Sequence, residues 1–206
     1  MNRPSALLQP GREDSGRPLW SGFWHSARVF PDRPALEVDG REHTYAELAG
    51  VAGSLAATLA AYRAADGPPL TAVFAHRSAT ALAGVLGALL SGHGYVPLNR
   101  TFPPERSRAM LERSGCRAVV VDAASEPQLD QILEGAVAPL LLVFPEREEV
   151  RDLAARWPHH RVLGRPDLVP AGERGWSPSV VPPQAIAYLL FTSGSTGVPK
   201  GVMVSH

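Results

Sequence analysis

With 206 residues and 45% hydrophobic content, the chain is long enough to bury one substantial core. Its 20 basic and 20 acidic residues cancel, leaving no electrostatic footprint for nucleic acid or an anionic membrane as partner. The single cysteine, Cys116, excludes an internal disulfide or a cysteine-based zinc cage. No apolar run approaches the roughly 18 residues that cross a bilayer, and only Leu7 and Leu8 stand where a signal peptide needs its apolar core, so a cytoplasmic location is expected.

Residues 1–18 are polar and rich in Pro, Gly and charge, which predicts a flexible N-terminal tail ahead of a domain over 19–206. Trp20, Phe23, Trp24 and Ala27 then fall at i, i+3, i+4 and i+7. That spacing makes one apolar helical face, whose tryptophans are assigned to core packing ahead of a ligand platform. Ala35 to Val38, the pair Asp39-Gly40 and Arg41 to Thr44 spell a β-hairpin. Directly after it, Thr44-Tyr45-Ala46-Glu47 fits a capping box that opens a helix running to about Ala61.

From Leu70 the pattern alternates: strand 70–75, helix 78–90, strand 95–98, helix 104–113, strand 118–121, helix 127–133, strand 140–144, helix 146–157. Such alternation predicts an α/β fold with a mostly parallel sheet flanked by helices. Ala83, Gly84, Gly87 and Ala88 give the helix over 78–90 a small-residue face for close packing. His76-Arg77 reads as a surface turn at a strand end, and the charge run from Glu146 to Arg151 as a solvated helix face. His159-His160, in a proline-rich stretch over 158–183, has no carboxylate or cysteine at ligand spacing, so no metal is assigned there.

The most informative stretch lies between two apolar runs, 185–191 and 202–204, each read as a buried strand. It comprises Thr192, Ser193, Gly194, Ser195, Thr196, Gly197, Val198, Pro199, Lys200 and Gly201. Its glycines permit positive φ and close approach of backbone N–H groups to a ligand. The hydroxyls of Thr192, Ser193, Ser195 and Thr196 add short donors, and Lys200 adds a mobile cation. The natural guest is a polyphosphate, because charge-assisted hydrogen bonds contribute about 1.5–3 kcal/mol each. A Walker-type loop is ruled out by spacing: Pro199 precedes the lysine, Gly201 follows it, and no helix start comes next.

Residues 191–201 resemble the signature loop of the adenylate-forming superfamily, [YF]-T-S-G-[ST]-T-G-x-P-K-G, at every position. Two further segments resemble that superfamily in order. Thr44 to Leu48 is similar to its [TS]-Y-x-E-L segment, and Gly94 to Arg106 to the [AG]-Y-V-P-[LI]-D-P-x-[YF]-P-x-E-R motif of amino-acid adenylation domains. His93 departs from that motif, where a small residue is common, and so does Asn99, where Asp is common; a Leu-Asn pair is more typical of acyl-CoA ligases.

The resemblance implies an incomplete N-terminal subdomain of an adenylate-forming enzyme. It further implies an ATP-dependent ligase that activates a carboxylic acid as its acyl-adenylate with release of pyrophosphate. An amino acid is the leading substrate class and an acyl acid the alternative. The loop is implied to hold the β- and γ-phosphates of ATP, with Lys200 as the catalytic cation. Mg2+ is implied as well, its ligand lying outside this chain, and the acceptor thiol is a carrier-protein phosphopantetheine or coenzyme A. His206 matches a histidine that follows the loop in relatives. Relatives being two to three times longer, a fragment inactive alone is expected, with a non-catalytic remnant as the competing reading.

Overall fold

Near-continuous apolar runs at 70–74, 118–121 and 141–144 present buried side chains to both faces of a sheet, and the helices cover both. The structure, a computed structural model, describes residues 16–136, 138–171, 176–192 and 199–206. It opens with α1 (Ser21–Val29), the hairpin of β1 (Pro34–Val38) and β2 (Arg41–Thr44), and α2 (Tyr45–Ala61). There follow β3 (Leu70–Phe74), α3 (Ala79–Leu90), β4 (Gly94–Leu98), α4 (Pro104–Ser114), β5 (Ala118–Val121), α5 (Leu129–Leu133) and β6 (Leu141–Phe144). The remainder is α6 (Arg151–Arg156), β7 (Arg161–Gly164), β8 (Ile186–Thr192) and β9 (Lys200–Ser205).

The main sheet runs β7-β6-β5-β3-β4-β8-β9, parallel throughout except for β9, which returns antiparallel to β8. One face carries α4, α5 and α6, whose Met110, Leu111, Leu129, Ile132 and Leu153 join Ala72, Phe74, Val119, Val121, Leu142 and Phe144 in one core. The alternate residues, Val120 and Val143 among them, join Leu55 and Leu59 of α2 and Ala83 of α3 on the other face. The small-residue face of α3 is thereby explained as packing. A Cβ on Gly84 would lie 3.1 Å from Val73 Cγ1, and one on Gly87 would lie 2.8 Å from the Cβ of Leu55, so these glycines set how close α3 comes to the sheet and to α2.

Local signals act as the sequence predicts. Asp39 and Gly40 turn the hairpin with φ of 51° and 75°, the left-handed pair that a two-residue turn demands. Thr44 Oγ1 accepts the Glu47 N–H at 3.2 Å while Glu47 Oε2 accepts the Thr44 N–H at 2.9 Å, closing the capping box of α2. Thr44→Ala is expected to lower stability by about 1 kcal/mol in equilibrium denaturation, since one helix-end donor loses its acceptor. Trp20 and Trp24, partly buried, pack with Trp176 against Ala52, Ala56 and Leu90, so they serve packing.

Three expectations are corrected. Strand β7 lies inside the proline-rich stretch, where the sequence predicted no strand, held by parallel pairing of Arg161 through Gly164 with β6. Helix α6 starts at Arg151 rather than at residue 146, because Glu146, Arg147 and Glu148 are committed to contacts with other parts of the fold. Glu146 accepts from the Thr80 hydroxyl and from the Ala123 N–H, and Arg147 pairs with Glu126, so the run is largely solvated, as expected, but is not a helix face before Arg151. Lys200 and Gly201 are strand residues rather than loop, because they pair with Thr192 and Phe191. The tail read over 1–18 falls, for residues 1–15, outside the described residues.

Candidate functional site

In a parallel sheet all carboxyl ends of the strands share one edge, where ligand crevices form. β8 runs parallel to β4, so Thr192 reaches this carboxyl edge and Lys200, its cross-strand partner, begins β9 there. Ser193, Gly194, Ser195, Thr196 and Gly197 lie outside the described residues. Thr192 and Lys200 are exposed on either side of them, and the lysine ammonium has no carboxylate partner among the described residues. Gly201 leaves room for its strand neighbours: a Cβ there would stand 3.0 Å from Leu189 Cδ1 and 3.5 Å from Phe191 Cε1.

The second motif lies on the adjacent strand. Tyr95 of β4 faces Tyr188 of β8 across the pairing, with ring centroids 5.5 Å apart. Beyond β4 the chain turns on Asn99, whose Oδ1 accepts the Thr101 N–H at 2.9 Å and whose carbonyl accepts the Phe102 N–H at 2.9 Å. The Arg106 guanidinium covers the Phe102 ring at 4.3 Å, and Phe102 and Phe191 both pack against the larger core. The tertiary structure thus brings two of the three motifs to adjoining strands. The third, Thr44 to Leu48, opens α2 and serves there as a helix cap.

One residue of this edge was missed in the sequence. Buried Asp122, directly after β5, accepts from the His76 N–H at 3.0 Å, the Ser78 hydroxyl at 2.8 Å and the Ser125 N–H at 2.8 Å. It ties the exit of β3 and the start of α3 to the exit of β5, and holds Arg77 in the left-handed region at φ 52°. An aspartate terminating an apolar strand was the available signal.

Other titratable groups take structural roles. Leu140 donates its N–H to His160 Nδ1 at 3.2 Å, and burial holds the His160 pKa below its ordinary value. Burial pushes the Cys116 thiol up to about 11, so it stays protonated and unreactive at neutral pH. His206 follows β9 to the opposite edge of the sheet, where its Nδ1 accepts the Leu19 N–H at 3.0 Å. The seven residues of β8, at about 3.3 Å each, put roughly 20 Å between this histidine and the carboxyl edge. It belongs to a different part of the molecule from Lys200.

Among the described residues no three His, Cys, Asp or Glu side chains converge as a metal centre would require. No helix among the described residues is long and apolar enough to cross a membrane.

A family model described as AMP-binding enzyme matches residues 23–206. The chain is 33% identical over 186 residues to the AMB antimetabolite synthetase AmbB of Pseudomonas aeruginosa, covering 89% of this chain and 13% of that protein. It is 30% identical over 206 residues to syringomycin synthase SyrB1 of Pseudomonas syringae pv. syringae, covering 100% of this chain and 28% of that protein. Among solved structures it is similar to the Vibrio cholerae adenylation domain AlmE in complex with glycyl-adenosine-5'-phosphate. That match has a TM-score of 0.69 and 27% identity, over 89% of this chain and 35% of AlmE. The N-terminal subdomain of Klebsiella oxytoca NpsA matches with a TM-score of 0.65 and 26% identity, over 92% of this chain and 41% of that one. The chain therefore spans well under half the length of the relatives it matches.

Proposed function

The chain belongs to the family of AMP-binding enzymes, and from that premise we propose that residues 19–206 are the N-terminal portion of an adenylation domain that activates a carboxylic acid, with an amino acid as the substrate class, and that residues 1–18 are a tail ahead of it. The observation that carries this reading is the order of the three motifs along the chain, ending in Phe191 to Gly201. Two further findings support it. The second motif and the strands bounding the loop lie side by side, and AlmE, a structural neighbour, was solved with an aminoacyl adenylate.

In the proposed reaction a carboxylate oxygen of the substrate attacks the α-phosphorus of ATP. The bond from that phosphorus to the bridging oxygen breaks, and pyrophosphate leaves with the electron pair. The amides and hydroxyls of Thr192, Ser193, Gly194, Ser195, Thr196 and Gly197 hold the β- and γ-phosphates. The ammonium of Lys200 offsets their charge, and Gly201 lets β9 approach closely. Such a site works by positioning and by preorganised charge rather than by a covalent intermediate. A thiol then attacks the acyl carbon and releases AMP; the synthase relatives favour a carrier-protein phosphopantetheine over coenzyme A as that thiol.

The test is carboxylate-dependent exchange of labelled pyrophosphate into ATP. It is run on this chain and on the chain extended to the length of its adenylation-domain relatives. Exchange by the extended protein with amino acids, and none by the 206 residues alone, is the expected result. Exchange with acyl acids only would move the assignment to the acyl-CoA ligase type, in line with the Leu98-Asn99 pair. No exchange with either class would defeat the reading and favour a non-catalytic remnant.

A further inference from the structure

His93 is a residue that the adenylation reading leaves without a role, and it stands where the family's motif commonly has a small side chain. It precedes β4 at the amino edge of the sheet, away from the loop, with only 6% of its surface exposed. Its Nδ1 lies 2.9 Å from Oγ1 of Thr71, a fully buried residue of the neighbouring strand β3. Its Nε2 is buried and has no protein partner. A buried imidazole nitrogen left so would be costly, since it has given up its hydrogen bond to water without gaining another.

Alongside the ring is a cavity of about 20 Å³, lined by His93 together with Tyr62, Arg63, Asp66 and Arg117. A polar cavity of more than about 10–15 Å³ accommodates one water molecule, provided it finds several partners. We propose that this cavity binds a single water that completes the hydrogen bonding of His93, and that the Thr71–His93–water unit is an acid-labile clamp between β3 and β4.

The acid sensitivity follows from what faces the ring. Tyr62 and Arg63 come from the end of α2, Asp66 from the turn after it, and Arg117 from the entry to β5. Asp66 is already engaged by Arg117 at 3.1 Å, so Arg63 is the cation left to oppose a second positive charge. Neutral His93 fits the site in either tautomer, with Thr71 as donor or acceptor. An imidazolium keeps its hydrogen bonds but is buried beside a cation. Burial first, and Arg63 second, accordingly hold its pKa down at about 4 against an ordinary 6.5. The contribution to stability is complete above pH 6.5 and is lost as pH falls from 6.5 towards 4, because the unfolded chain takes up the proton first.

The experiment is a set of denaturation curves on the full chain between pH 7.5 and pH 4, for the parent and for His93→Ala, with a ring-nitrogen NMR titration of the parent. The parent's unfolding equilibrium is expected to shift by on the order of a hundredfold more than that of His93→Ala over this range. Matching pH profiles would overturn the clamp. Should His93→Ala fail to fold, the titration decides: no change at the His93 ring until near pH 4 supports it, and a midpoint near 6.5 overturns it. A crystal structure of the parent decides the water, with one expected within hydrogen-bonding distance of Nε2. A dry cavity would overturn that part.

Discussion

Lys200→Ala is expected to lower pyrophosphate exchange by the extended protein by about 10²–10³-fold, the loss typical of removing one preorganised charge or donor from a developing anion. The fold should scarcely register the change. Lys200 is exposed and begins an edge strand, and its ammonium has no carboxylate partner among the described residues. Substitutions at such positions alter stability by about 0.5 kcal/mol or less. An unchanged denaturation midpoint beside a collapsed exchange rate would therefore locate the effect in chemistry. Lys200→Arg separates charge from shape: a planar guanidinium keeps the charge but not the point donor, and partial recovery is expected. Full activity in Lys200→Ala would remove the lysine from the reaction.

Gly94→Val should have the largest effect on the fold itself, a loss of about 3 kcal/mol, at the upper end of what overpacking costs. A Cβ at this position would lie 2.6 Å from the backbone oxygen of Ile186 and 2.9 Å from Leu70 Cδ2. A side-chain neighbour could rotate away, but the Ile186 oxygen belongs to the first residue of β8 and moves only with the strand. β4 and β8 would be forced apart at the amino end, and β8 is the strand that carries the phosphate loop at its other end. Urea denaturation measures the loss. Gly50→Ala is the contrasting case: on an exposed turn of α2 its Cβ would meet nothing within 4 Å, and it should stabilise by up to about 1 kcal/mol. Equal effects at the two sites would show that backbone contact is not what keeps Gly94 a glycine.

The same contrast separates what could be read in one dimension from what could not. A capping box, an Asp-Gly turn and a strand of valines are complete within a few residues, so Thr44 with Glu47, Asp39 with Gly40, and Val119 to Val121 were legible. β7 was not. Val162 and Leu163 are too short an apolar run between His160 and Arg165 to stand out among prolines, and the strand exists because β6 offers it a row of free backbone groups. α6 was overextended for the complementary reason: Glu146 and Arg147 have helix-forming side chains, but Thr80, Ala123 and Glu126 claim them first.

For the candidate site, the residue types of the loop determined its chemistry alone: glycines to expose amides, hydroxyls to donate, one lysine to offset charge. Only the tertiary structure decided its company. It set β4 beside β8, sent His206 to the far edge, placed buried Asp122 as the tie between β3 and β5, and turned His93, in the sequence only a departure from a motif, into a buried base facing Arg63. Each of these joins residues tens of positions apart. Local conformational preference carries no record of such pairings; they arise when strands choose their neighbours and apolar surface leaves water.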